Sequence, residues 1–197
     1  MIQPALRTEV WAGEARVNLI RLIALAAYYA QHLVATYAHR ADPAWTPQYH
    51  AAVTAVVLTW AAGIGGLHIA LTRRWLPSWL PFASALGDVA LVTALLMASG
   101  GVRSPLVVLY WLVVASTPLR LSLRLVVATT VASMLGYLAT LGVYAHGVVG
   151  ATAYYADAAL RVPRSQQVVA LLGLFVAGLL AAQSVRQARR LVAGGDA

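Results

Sequence analysis

A single carboxylate, Asp88, lies within the stretch from Phe82 to Ser99, which carries no other charge. Inside a membrane span such a group costs about 2.5–3.5 kcal/mol on insertion scales, so it faces a partner or water. Arg73, Arg74, Arg120 and His68 fall near its level and are its candidate partners. The residue is suited to a polar tie between helices or to a proton- or ligand-responsive switch. Histidines are the second resource. His32 lies in the outer half of the first apolar stretch, His68 near the inner end of the second, and His39, His50 and His146 at stretch ends. A bis-histidine haem needs two imidazoles facing each other at one depth, and the pairs nearest one level are His32 with His146 or His50. The third candidate is the connection Gly100-Gly101-Val102-Arg103-Ser104-Pro105. Adjacent glycines permit unusual dihedrals and expose backbone N–H groups, and Arg103 adds a fixed charge. The same spacing also suits a plain tight turn between antiparallel spans.

The elements that must position these groups are transmembrane helices. The chain has 197 residues, is 61% hydrophobic and 10% charged, and has a mean hydropathy of +0.75, outside the range of water-soluble domains. A helical crossing takes about 20 apolar residues. The expected architecture is therefore all-α, a polytopic six-helix bundle within one integral membrane domain over 1–197. The spans fall at about 17–38, 50–71, 82–99, 106–120, 125–145 and 168–185, with an interfacial lead-in over 1–16 and a tail over 186–197. The fourth is short: the roughly 16 residues between Arg103 and Arg120 reach about 24 Å as α-helix, against a core of about 30 Å. Either the arginines snorkel or the helix extends into Arg103 and Leu121. Ser165, after Pro163-Arg164, is a candidate N-cap for the last helix.

All 14 basic residues are arginine, against six acids, for a net charge of +8. They cluster at the ends of the apolar stretches, where they act as topology signals rather than a nucleic-acid surface. With both termini in the cytoplasm, ten lie inside and four (Arg40, Arg103, Arg161 and Arg164) outside, which predicts an N-in, C-in orientation. Cysteine is absent, which excludes disulfides and thiolate chemistry. No phosphate-binding loop, His-Glu-x-x-His motif or nucleophile elbow occurs, so the expectation is a non-enzyme. Small residues at Gly173, Ala177 and Ala181, and at Gly136 one turn before Thr140, suit close helix contacts.

Asp88 followed by Gly100-Gly101-Val102-Arg103-Ser104-Pro105-Leu106 resembles the six-helix membrane input region of certain bacterial sensor histidine kinases. In their redox-responsive branch this loop reads Gly-Gly-x-x-Asn-Pro-Phe and is implicated in sensing ubiquinone. Gly100, Gly101 and Pro105 match, while Ser104 and Leu106 stand in place of the asparagine and phenylalanine. The resemblance implies a sensor module in the bacterial inner membrane, with quinone as the possible cofactor and Gly100, Gly101, Arg103, Ser104 and Pro105 as its site. Asp88, His32 and His68 would be the intramembrane signalling groups. Such kinases continue into a phosphoacceptor helix and an ATP-binding domain, and these residues hold neither, so a non-catalytic module is expected. It would act through lipids, through other membrane or cytoplasmic subunits, or as a homodimer. Two other classes fit the composition. One is an accessory subunit of a respiratory or photosynthetic complex. The other is a small transporter, for which the only hint is Gly63, Gly65 and Gly66 in the second span.

Overall fold

The computed structural model describes residues 4–38, 47–73, 75, 77–146 and 162–194, and among them it contains helices and turns but no strand. Among the described residues six α-helices follow in order: α1 (Pro4–Ala38), α2 (Pro47–Thr72), α3 (Leu80–Ala98), α4 (Val108–Ser116), α5 (Leu123–His146) and α6 (Arg164–Gly194). Five contain stretches long and apolar enough to cross a membrane, and the sixth crossing is the shorter Pro105–Arg120. The expected outer loop, with Tyr154, Tyr155 and Asp157, lies outside the described residues, as do His39 and Asp42.

The helices form two compact units, Met1–Leu80 and Pro81–Ala197. The first is the α1–α2 hairpin, and its antiparallel register can be read from four bonded pairs. Trp11 Nε1 donates to the Leu71 carbonyl at 3.2 Å and Asn18 Nδ2 to that of Ile64 at 3.3 Å. Tyr29 shares a 3.3 Å bond with Thr54, and His32 Nε2 meets His50 Nδ1 at 3.1 Å. The numbers in each pair sum nearly to a constant, so the two helices stay in step along their length. Buried Asn18, Leu25 and His32 recur every seven residues on α1, facing Val53, Val57, Ile64, Leu67 and Leu71 on α2. That repeat is the narrow seam of a supercoiled pair. The remaining faces, with Leu22, Ile23, Val34, Leu58 and Ile69 exposed, are apolar because their solvent is hydrocarbon.

The lead-in is helical from Pro4 and continuous with the first span. At 1.5 Å per residue, the 35 residues of α1 reach about 52 Å, well beyond a bilayer core. The last helix, expected to continue beyond its span into Arg186, Arg189 and Arg190, does so and ends at Gly194.

In the second unit α6 packs along α4 and α5. Val114, Val126, Ala181 and Val185 form its buried cluster, with Ala177 against it. The small-residue seam is thus a real contact line, and Gly178, missed in the sequence, lies closest on it. A Cβ there would meet Thr130 of α5 at 2.6 Å, whereas one on Gly173 would meet Trp111 of α4 at 3.3 Å. Gly136 serves a similar end inside the unit, where an added Cβ would meet Thr93 Oγ1 at 2.6 Å and the Tyr110 hydroxyl at 2.8 Å.

The short fourth span resolves differently from either expectation. Its ends, Pro105–Val107 and Thr117–Arg120, are 3₁₀ turns flanking α4. Pro105 and Pro118 lack the N–H that an α-turn uses. Because 3₁₀ helix rises about 2.0 Å per residue, the span reaches about 27 Å. It then stops at Leu121, whose φ of 51° is left-handed. Arg103 is exposed in its own turn, and Arg120 folds inward instead of snorkelling. The last helix also starts one residue before its expected cap. Gln167 N donates to the Pro163 carbonyl at 3.1 Å, and Gln167 Nε2 donates to that of Val162 at 2.8 Å, leaving Ser165 inside the first turn.

Candidate functional site

Asp88 is buried on α3, at 6% exposure. Ser84 lies four residues earlier and so one turn away on the same face. Onto that turn comes Arg120, itself only 3% exposed. Its Nη1 donates to the Pro81 carbonyl and its Nη2 to Ser84 Oγ, both at 3.1 Å. Among the partners expected for Asp88, Arg120 is held one turn away on Pro81 and Ser84, and Arg74 lies outside the described residues. A guanidinium suits this position because its planar fork satisfies two acceptors while keeping its charge.

The next residue extends the chain of contacts. The left-handed turn at Leu121 presents its carbonyl outward, and Arg189 near the end of α6 grips it twice. Nε donates at 2.9 Å and Nη2 at 2.6 Å. Ser122 Oγ then accepts from Leu125 N at 3.4 Å and caps α5. The α4–α5 turn therefore joins three helices at one end of the unit: Arg120 reaches the start of α3 at Pro81 and Ser84, one turn before Asp88, and Leu121 holds the outgoing α6. Sequence inspection placed Arg189 among the topology arginines, and its specific contact had no signal in residue type or spacing.

The diglycine connection lies at the opposite end of α3. Gly100 (φ 90°) and Gly101 (φ 74°) are both left-handed. A Cβ on Gly101 would meet the Tyr144 ring at 2.7 Å, while Gly100 faces open space. Tyr144 in turn donates to the Met97 carbonyl at 2.9 Å. Ser104 Oγ accepts from Leu106 N at 3.3 Å, capping the turn that Pro105 begins. Gly101, Ser104 and Pro105 thus each have a job in the turn itself, and Arg103 stands exposed beside them.

In the first unit, His32 is 2% exposed, and its ring stacks on His50 with centroids 5.2 Å apart at 8°. Tyr28 and Tyr29 stack on it at 6.4 and 6.1 Å, and Tyr49 meets it edge-on at 5.7 Å. The two imidazoles bond to one another instead of facing across a haem iron. His68 is elsewhere, exposed near the end of α2 and lining a cleft with Trp11 and Asn18. No group of three or more metal-ligating side chains occurs among the described residues.

Residues 11–192 match a family model described as a PilS-like transmembrane domain. No curated protein and no solved structure matches the chain.

Proposed function

The chain belongs to the family of PilS-like transmembrane domains, and from that premise we propose that it is a non-catalytic sensor input module that signals through α6. Both ends of the module would lie in the cytoplasm, as the arginine bias predicts. The observation that carries the reading is the double grip of Arg189 on the Leu121 carbonyl, one residue from an arginine buried against Ser84. A change at Asp88 that displaces Arg120 moves Leu121 and loosens α6. Signalling of this kind needs two arrangements between which a ligand discriminates.

Hydrogen bonds to a charged group contribute about 1.5–3 kcal/mol. Arg189 is exposed, so solvent screening reduces its grip to about 1 kcal/mol. That sets an expected shift of about fivefold in the ratio of clamped to released α6. The chain has no cysteine, so spin labels on Arg124→Cys and Gln187→Cys report one distance unambiguously. Arg189→Ala and Asp88→Asn should each enlarge a longer-distance population in lipid nanodiscs. A single distance, unchanged by both, would sink the reading.

Quinone is the signal that the resemblance of the connecting turn implies, with Arg103 as its contact. Addition of a short-chain quinone should move the same distance distribution. Arg103→Gln should abolish that response while leaving the resting distribution in place. A response that survives this change removes quinone contact with Arg103 from this turn.

A further inference from the structure

One feature of the hairpin plays no part in signalling through α6. Between the start of α1 and the end of α2 lies a cleft of about 300 Å³. Leu19, Leu22 and Leu71 line it, with Trp11 and His68 at its side and Asn18 in its wall. The amide of Asn18 is only 5% exposed and is pinned by the Nδ2 bond to Ile64. That bond fixes the amide's orientation, since the reverse would set oxygen against oxygen. The other end, Oδ1, is buried without a partner. An unmet acceptor is costly to bury, and a ligand hydroxyl that reaches it removes that cost.

The surroundings specify the rest of the ligand. At roughly 100° per residue, Trp11, Ala15, Asn18, Leu19 and Leu22 form one stripe of α1. Arg16 and Arg21 stand about 60° outside its two edges, and Arg73 follows directly after Thr72. Arginine, tryptophan and the first leucines of a span occur together where headgroups meet hydrocarbon. We propose that this cleft binds an anionic glycerophospholipid whose headgroup carries hydroxyls. An acyl chain lies along Leu19 and Leu22, the phosphate sits among the arginines, and a hydroxyl donates to Asn18 Oδ1 once the side chains part to admit it. The inference is independent of any motion of α6.

The test compares phosphatidylglycerol with phosphatidylmethanol of identical chains, which has the same charge and no hydroxyl. Native mass spectrometry of the purified full chain should show phosphatidylglycerol bound about tenfold more tightly, the effect of one hydrogen bond. Asn18→Leu should make the two lipids equal by weakening only the first. Equal binding to the unaltered protein, or a preference that survives Asn18→Leu, overturns the proposal. Where Asn18→Leu does not fold, chain-brominated versions of both lipids serve instead. Trp11 quenching, isolated as the difference from Trp11→Phe, should be stronger with the brominated phosphatidylglycerol. Equal quenching by the two lipids overturns the proposal as well.

Discussion

One close approach between helices in the second unit is exposed to a single methyl group. Gly178 on α6 faces Thr130 on α5, and a Cβ at Gly178 would lie 2.6 Å from both Thr130 Cγ2 and Oγ1 and 3.1 Å from its Cβ. Thr130 has little room to yield. It is β-branched, which restricts it to few rotamers in a helix, and its hydroxyl bonds the Val126 carbonyl at 2.8 Å. Gly178→Ala must therefore push α6 from α5 by about 1 Å to restore ordinary contact. Overpacking of this kind costs about 1–3 kcal/mol, against which the gain in helix propensity is about 1 kcal/mol. The net expectation is a loss of up to about 2 kcal/mol, read as a lower midpoint of unfolding on titration with a denaturing detergent. Thr130→Ala removes both clashing atoms, so the double variant should recover most of that loss. The coupling between the sites should be positive and at least about 1 kcal/mol. A double variant no better than the single one would refute the packing of α6 described above.

Two further outcomes can be checked by the same titration. Arg120→Ala removes the two charged hydrogen bonds to Pro81 and Ser84 and should cost about 1.5–3 kcal/mol. Arg124→Ala, one turn later and exposed, should stay within about 0.5 kcal/mol. In the connecting turn, Gly101→Ala collides with the Tyr144 ring and should destabilise more than Gly100→Ala. The latter meets only the backbone penalty of a positive φ, about 1 kcal/mol. If the two glycines prove equally tolerant, the contact with Tyr144 is wrong.

Six membrane crossings were legible from the length and polarity of the apolar stretches, because the cost of burying charge in hydrocarbon acts on sequence directly. Which face of each helix turns inward was not. On α5, Leu125 and Val126 are buried while Val127, Val131 and Leu135 are exposed, and all five are the same kind of residue. Lipid accepts the outward set as readily as the protein accepts the inward one, so periodicity carries no rotation signal. Polar residues were the exceptions. His32 and His50 were one of two same-level pairs, and Arg120 one of four partners weighed for Asp88. Helix rotation decides which polar groups meet, bringing His32 onto His50 and Ser84 onto Arg120. The 3₁₀ ends of the fourth span had a visible cause in Pro105 and Pro118, and the 24 Å estimate erred by assuming α-helical rise throughout. The unbroken α1 hid behind Arg16 and Arg21, which mark a membrane boundary without ending a helix.

That unbroken α1 acts as a lever. About 32 Å of rigid rod separate Trp11, tied to the end of α2, from His32, bonded near its start. If the rod pivots by about 5° at the tryptophan, its far end sweeps about 3 Å, as much as a hydrogen bond is long. Helices tilt by such angles to match bilayer thickness. A tilt of that size would be enough to part the two imidazoles, so the length of α1 couples the angle of the hairpin to one hydrogen bond at its far end.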